Sequence, residues 1–382
     1  MKNIRAGVIG VGFIGPAHVE AIRRLGFEVV ALSSSSEERA KAKAQEMHIP
    51  KAYGDFRNLI KDDDVDVVHI CSPNNLHYDM VKEALAVDKH VVCEKPLALN
   101  SKESGELVRL ANNSSKVHAV CYNIRFYPLC LHAMEMVRRR ELGDIYFVNG
   151  SYLQDWLFFD TDWNWRVTHE AGGNLRAVAD IGTHWMDLVC NITGLKINRV
   201  MADLKTFIPV RKKPKNIVET FKGKEHKPTD YQKFSIETED YASVLLEFSN
   251  GGRGALTVSQ IAVGRKNKLS FEIYGSKKAV AWSSETPNEM WVGHRDEPNE
   301  LIVKDPSLLA GKAKEFTSYP GGHTEGYPDT FKQLFKCIYS DILEGAKGQT
   351  LYPTFLDGHN EILICEAIKE SAQKGGWVKT KT

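Results

Sequence analysis

The sequence predicts an α/β domain built on a doubly wound parallel sheet, followed by an α+β domain whose mostly antiparallel open sheet is backed by helices. Three features carry that expectation. Short β-branched runs alternate with helical stretches from Ile4 to Val120, the rhythm of successive βαβ units. The first run leads straight into Gly10-Val11-Gly12-Phe13-Ile14-Gly15. From Ile145 onward the pattern changes to long alternating runs joined by glycine-bearing turns, which reads as hairpins. Two domains are expected, 1–123 and 124–382.

Composition agrees with two cores. The chain has 382 residues, 42% of them hydrophobic. Lys plus Arg number 50 against 49 Asp plus Glu, so no global field draws the chain to nucleic acid or an anionic membrane. A small-molecule partner is expected. The 7 cysteines show neither paired C-x-x-C spacing nor a disulfide framework. No apolar run approaches the ~18 residues of a membrane helix, and no secretory pattern opens the chain. The expected setting is cytoplasmic and reducing.

Taken in order, the strand at Ile4–Ile9 enters a G-x-G-x-x-G fingerprint. Its glycines serve a tight turn (Gly10), close approach of a pyrophosphate (Gly12) and helix packing (Gly15). The next helix opens at Phe13 and Ile14 and offers its free N–H groups to phosphates. The strand Glu28–Leu32 ends in Ser33-Ser34-Ser35-Ser36, where an NAD site usually carries an Asp or Glu for the ribose 2′-hydroxyl. With serines there and Arg39 beyond them, NAD or NADP is expected, NADP slightly favoured. The serines also read as a helix N-cap.

Further strands at Lys51–Gly54 and Val65–Ile70 alternate with helices at Asp55–Lys61 and Asn75–Val87. Val65–Ile70 breaks at Cys71-Ser72-Pro73-Asn74-Asn75-Leu76-His77, a polar loop at a carboxyl strand end, where cofactor contacts belong. His77 reads equally as a contact or as an ordinary partly exposed histidine. The run His90–Cys93 stops at Glu94-Lys95-Pro96, since a central strand carries no proline. Lys95 therefore sits where ligands bind in open α/β sheets. A lone Lys-Pro would be a solvated loop; the strands before it argue otherwise.

Gly10-x-Gly12-x-x-Gly15-x-x-His18, Ser72-Pro73-Asn74-x-x-His77 and Glu94-Lys95-Pro96, in that order, resemble the Gfo/Idh/MocA family of oxidoreductases. The pattern continues with Tyr122-Asn123-x-Arg125-Phe126 after the last strand of the first domain. The resemblance implies an N-terminal Rossmann domain. It adds Asn123 to the cofactor contacts at Gly10, Gly12, Phe13, Ile14, Gly15, Ser33, Ser34, Arg39, Ser72, Pro73, Asn74, His77, Glu94, Lys95 and Pro96. It also implies a homodimer or homotetramer, because in the family one face of the second-domain sheet packs on another subunit.

In the second domain, alternating runs lie at Ile145–Gln154, Arg199–Phe207, Tyr241–Phe248, Gly254–Ile261, Lys268–Gly275 and Ala279–Trp282. Arg211–Lys233 is basic and aperiodic and reads as an exposed excursion. Polar chemistry gathers in Asp180-Ile181-Gly182-Thr183-His184-Trp185-Met186-Asp187. Asp180 would N-cap a helix starting there, with His184 four residues on and on the same face. Spacing alone favours a capping Asp and a core His. The resemblance to the family's D-x-x-x-H motif makes Asp180 and His184 catalytic, and a metal held by Asp180, His184 and Asp187 ranks third. Asp155, Trp163, Trp165 and Arg166 supply aromatic faces and polar groups suited to a sugar, although tryptophans this close also serve as core anchors. Tyr152, Arg176 in a lengthened approach to the motif, and His323 in the loop Pro320–Tyr327 complete the substrate candidates. The Tyr152–Trp156 stretch and the closing segment Leu351–Gly376 are similar to glycoside- and anhydrosugar-oxidising members.

The expected activity is NAD(P)-dependent oxidation of a secondary hydroxyl of a sugar, polyol or glycoside. Lys95, Asp180 and His184 are its catalytic residues, with no metal, and either Lys95 or His184 accepts the proton. An NAD-dependent glycoside hydrolase and a non-catalytic sugar sensor of the same fold are the alternatives.

Overall fold

The structure, a computed structural model, describes residues 4–215, 231–345 and 350–382. It divides into two compact units. One comprises Met1–Asn123, Glu170–Gly173 and Pro328–Ile362, the other Ile124–His169, Asn174–Tyr327 and Leu363–Thr382.

In the first unit the β-branched runs form β1 (Arg5–Ile9), β2 (Glu28–Ser33), β3 (Lys51–Tyr53), β4 (Val67–Ile70), β5 (His90–Cys93) and β6 (His118–Val120). They make one sheet in the order β3-β2-β1-β4-β5-β6, parallel throughout. The order reverses at β1 and β4, where such sheets bind ligands beyond the carboxyl ends of the strands. Helices at Ile14–Arg24, Glu37–Glu46, Phe56–Ile60, His77–Ala86 and Ser101–Asn112 connect the strands. Every residue of β4 is buried, as expected of a strand covered on both faces. The core joins Ile9, Val68, Val91 and Leu107 to Phe355 and Ile362 from far along the chain. Unit one thus takes in 328–362 as well, tied in part by the Val120 N–H donating to the Pro353 carbonyl at 2.9 Å.

The second unit carries β7 (Ile145–Leu153), β8 (Ile197–Lys205), β9 (Val210–Pro214), β10 (Tyr231–Ser235), β11 (Tyr241–Phe248), β12 (Arg253–Ser259), β13 (Lys268–Gly275), β14 (Ala279–Ser283), β15 (Glu289–Gly293), β16 (Glu300–Val303) and β17 (Val378–Lys379). Nine of them form a sheet in the order β16-β15-β14-β13-β7-β12-β11-β8-β17. It is antiparallel except where β7 enters its middle and pairs parallel with β12.

Two expectations change here. The flanks of the expected excursion at Arg211–Lys233 pair as a ladder, β9 against β10; residues 216–230 lie outside the described residues. Asp180 is not a helix cap. It lies within a π-helical turn, Val178–Gly182, that runs directly into the helix Thr183–Thr193. The capping role belongs to Glu239, whose carboxylate accepts from the Arg176 and Val178 amides. Among the described residues no helix is long and apolar enough to cross a membrane.

Candidate active site

The first unit supplies a dinucleotide cradle. Gly10 has φ +105°, and a Cβ there would lie 2.4 Å from the Cys71 carbonyl oxygen. A Cβ on Gly15 would fall 2.0 Å from the Gly10 oxygen. Both glycines are thus demanded by the protein's own turn. Gly12 differs, because a Cβ there meets no protein atom within 4 Å. Its glycine fits close approach of a ligand's pyrophosphate rather than internal packing. No side chain caps the helix Ile14–Arg24, which leaves its first-turn amides suited to phosphate. Phe13 stands 55% exposed at its start.

At the end of β2, Ser33 is buried and its backbone carbonyl accepts from the Gly10 N–H at 2.9 Å. Ser34 is half-buried, and the cap is Ser36, whose hydroxyl accepts from the Arg39 N–H. Lys41 pairs with Glu37 and Lys43 with Glu46, while the exposed Arg39 has no ion-pair partner among the described residues.

The loops after β4 and β5 are stitched together by His77. Its Nδ1 lies 2.7 Å from the Pro96 carbonyl oxygen and its Nε2 3.0 Å from that of Ser72. Burial pushes this imidazole below its ordinary pKa, against the pull of the two carbonyls. His77 is therefore fully buried between the two loops, not a partly exposed histidine. Asn74 donates to the Gly172 carbonyl at 3.3 Å. Asn123 is also buried, donating to the Thr330 hydroxyl at 2.7 Å. Lys95 is partly buried, and its amide faces Glu94 Oε2 at 3.3 Å.

The second unit builds its polar group around Asp180. Arg166 Nε donates to Asp180 Oδ1 at 3.2 Å and Gln260 Nε2 to Asp180 Oδ2 at 2.7 Å. Arg166 is aimed by its neighbours: its guanidinium lies 4.3 Å from the Trp165 ring centroid, and Asn164 Oδ1 accepts from its amide and its Nη1. His184 follows on the next turn, 8% exposed. The Tyr152 ring centroid lies 6.2 Å from that of His184. Burial pushes the Tyr152 hydroxyl up, so it stays protonated and donates to Asn267 at 2.8 Å. A π-helical turn commonly marks a functional site, and Asp180 lies within this one, just before the helix that carries His184.

Other expected residues fall elsewhere in this unit. Arg176 was expected against substrate, but its guanidinium is fully buried on Asp240 and the Glu239 carbonyl. Trp163 packs on Phe234 and joins Leu157, Val167 and Ile236 in a small core, the anchor role rather than a pocket wall. Asp187 forms a buried bidentate pair with Arg125, which removes it from any metal set with His184. Asp155 accepts from the Gly264 amide and from Lys266, holding the 264–266 turn. The His323 side chain is exposed and its carbonyl accepts from the buried Lys304 ammonium. The sequence reading missed Gln260; its only sequence signal is its place just past the end of β12.

Comparison with known proteins completes the picture. Residues 4–122 match the Gfo/Idh/MocA oxidoreductase family, described as having an NAD-binding Rossmann fold, and residues 130–281 match the family's C-terminal domain. The chain is 29% identical to a levoglucosan dehydrogenase of Pseudarthrobacter phenanthrenivorans, over 99% of this chain and 98% of the relative. It is 30% identical to an uncharacterized oxidoreductase of Rhizobium meliloti, with 99% of each covered. A D-xylose 1-dehydrogenase (NADP(+)) of Haloferax volcanii is 35% identical over 38% of this chain and 45% of the relative. A solved levoglucosan dehydrogenase in complex with NADH and L-sorbose superposes with TM-score 0.90 at 28% identity, all of both chains covered. The glycine cradle, the Glu94-Lys95-Pro96 turn and the Asp180/His184 pair thus stand in a chain that belongs to the Gfo/Idh/MocA family of oxidoreductases.

Proposed function

We propose that the protein is a dehydrogenase that passes a hydride between a secondary hydroxyl of a sugar, polyol or glycoside and a nicotinamide dinucleotide. The observation that carries this reading is the fixing of Asp180 by Arg166 and Gln260 in the turn leading to His184. A carboxylate held this firmly orients a neighbouring histidine for proton transfer. His184 takes the hydroxyl proton, Lys95 hydrogen-bonds the same oxygen and stabilises its developing negative charge, and Asp180 orients the site. Tyr152, Trp165 and Arg166 bind the sugar. When bound, the dinucleotide supplies the hydride acceptor; the chain's own work is alignment.

The levoglucosan and xylose dehydrogenases named above support a carbohydrate substrate. Arg39, exposed and without an ion-pair partner among the described residues, and the serines before it support use of NADP. A homo-oligomer is supported by the outward face of the second-unit sheet, where Phe147 stacks on Tyr274 beside exposed Leu245 and Met201. Replacing Phe147 and Leu245 by Glu should then lower the mass seen in sedimentation.

The test of function is absorbance at the reduced-nicotinamide band over a panel of sugars, inositols and glycosides with NAD and NADP. Substrate-dependent formation of reduced cofactor is expected. Glycoside cleavage without net reduced cofactor would overturn the dehydrogenase reading in favour of redox-assisted hydrolysis.

A further inference from the structure

The core of the first unit contains a line of polar side chains where the sheet otherwise buries Val, Ile and Ala. His18 from the helix Ile14–Arg24, His69 from β4 and Tyr339 from the helix Tyr327–Glu344 are each 0% exposed. Tyr339 Oη lies 2.9 Å from His69 Nε2, His69 Nδ1 lies 3.0 Å from His18 Nδ1, and His18 Nε2 lies 3.0 Å from Glu94 Oε1. Phe331 and Phe335 pack against the rings, with the Phe335 centroid 4.8 Å from both imidazoles. The chain is enclosed and runs through three elements to one carboxylate.

Its donors can be ordered. Burial holds the His69 imidazole well below, and the Tyr339 phenol well above, their ordinary values. His69 therefore carries one proton and Tyr339 keeps its own. The Tyr339 hydroxyl donates to His69 Nε2, His69 Nδ1–H donates to His18 Nδ1, and His18 Nε2–H donates to the Glu94 carboxylate. In the opposite direction the buried Tyr339 proton would find no acceptor among the described residues. Every bond then has one donor and one acceptor, the condition under which a buried network enforces a single arrangement.

The chain ends beside Lys95. Glu94 Oε1 takes the His18 proton while Glu94 Oε2 faces the Lys95 amide at 3.3 Å. We propose that His18 is a positioning residue for Lys95, acting through the Glu94 carboxylate and itself oriented by His69 and Tyr339. This rests on the catalytic role given to Lys95 above. Apolar side chains would fill the same space without the cost of burying polar groups; what they would not do is hold Glu94 Oε1 while Oε2 faces the Lys95 amide.

The test is a double-mutant cycle on the full chain, read in single-turnover reduction of NAD(P) with the best substrate of the panel. His18→Leu is expected to lower the hydride-transfer rate by about 10- to 100-fold, the range that an ångström-scale misplacement brings. KM and cofactor affinity should stay within about twofold, the split expected of an interaction realised in the transition state. His18→Gln, which keeps one donor and one acceptor, should recover most of the rate, and Tyr339→Phe should show a smaller loss than His18→Leu. In a Lys95→Ala background the His18→Leu loss should vanish, because the two changes share one path. An equal loss in both backgrounds, or no rate loss in the soluble Gln and Phe variants alongside a wild-type-like Leu variant, overturns the proposal. Should His18→Leu fail to fold, the cycle is run with His18→Ala and Tyr339→Phe, where no rate loss, or equal loss with and without Lys95, is the contrary result. A Lys95→Ala enzyme of near wild-type rate would instead overturn the Lys95 assignment itself. His18, Glu94 and Cys121 also place a possible metal-ligating atom each within 4.8 Å of one another. A stoichiometric metal ion in the purified protein, lost on His18→Gln, would replace the hydrogen-bond chain and contradict it.

Discussion

The two units bury polarity in opposite ways. The first relies on imidazoles and a phenol: His18, His69, His77 and Tyr339 are enclosed, within hydrogen-bond distance of one another, of a carboxylate or of carbonyls. The second uses full charges. Asp240 accepts from both Arg176 and Arg211 with all three side chains at 0% exposure, Arg125 pairs with Asp187, and Lys304 pairs with Glu325. Buried imidazoles resist taking up a second proton, whereas an ion pair that loses one partner leaves a buried charge with nothing to offset it. The first arrangement suits the loops that hold a cofactor, and the second fixes the long segments between distant strands.

The largest effect expected from this contrast is at Asp240. Its Oδ2 also accepts from the Phe207 and Ile208 amides at 2.7 and 2.8 Å. Asp240→Ala strands two guanidiniums and should destabilise the second unit by about 3–5 kcal/mol, read as a shift of the urea midpoint. A loss under about 1 kcal/mol would mean that these charges are solvated rather than buried.

Acid should act mainly on the first unit. Burial lowers the pKa of His69, His77 and His118 there, and of His132 in the second. Above pH ~6.5 these groups are neutral in folded and unfolded states alike. Below it the unfolded chain binds protons that the folded state refuses, so stability falls as pH falls. Each group contributes up to about 1.4 kcal/mol per pH unit. Hydrogen exchange resolved by peptide should show β4 and β5 losing protection before β11 and β12 between about pH 6.5 and 5. Simultaneous loss would erase the distinction between the units.

Gln260→Ala probes the polar support of Asp180 without touching an ion pair. It should lower kcat by roughly tenfold with little change in the unfolding midpoint. The smallest effect is expected at Arg39. Arg39→Ala should weaken NADPH by about 1–2 kcal/mol and leave NADH unchanged; equal weakening of both would remove the NADP preference.

How much of this was legible in the sequence follows from the range of the interactions. β1 to β6 are apolar runs bounded by turn residues, and the glycine fingerprint is local, so both could be read directly. The alternating runs of β7, β11 and β13 were equally plain. β9 and β10 were not, because Arg211, Lys212 and Lys213 hide a strand whose Arg211 is buried only through partners 29 to 54 residues away. Arg176 and Asp187 looked like site residues for the same reason: a charge in a loop or helix does not show that a distant counter-ion already holds it. The Asp180 cap was misread because Glu239, 61 positions from Val178, does the capping. The line from Tyr339 to Glu94 spans separations of 270, 51 and 76 residues, beyond any local pattern.

The measurement that bears most directly on the whole account is single-turnover formation of reduced cofactor by wild type, Lys95→Ala and His184→Ala, each shown by titration to bind the dinucleotide. The account predicts intact cofactor binding and a loss of hydride transfer of at least about 10²-fold in both variants. Transfer near the wild-type rate in either would contradict it.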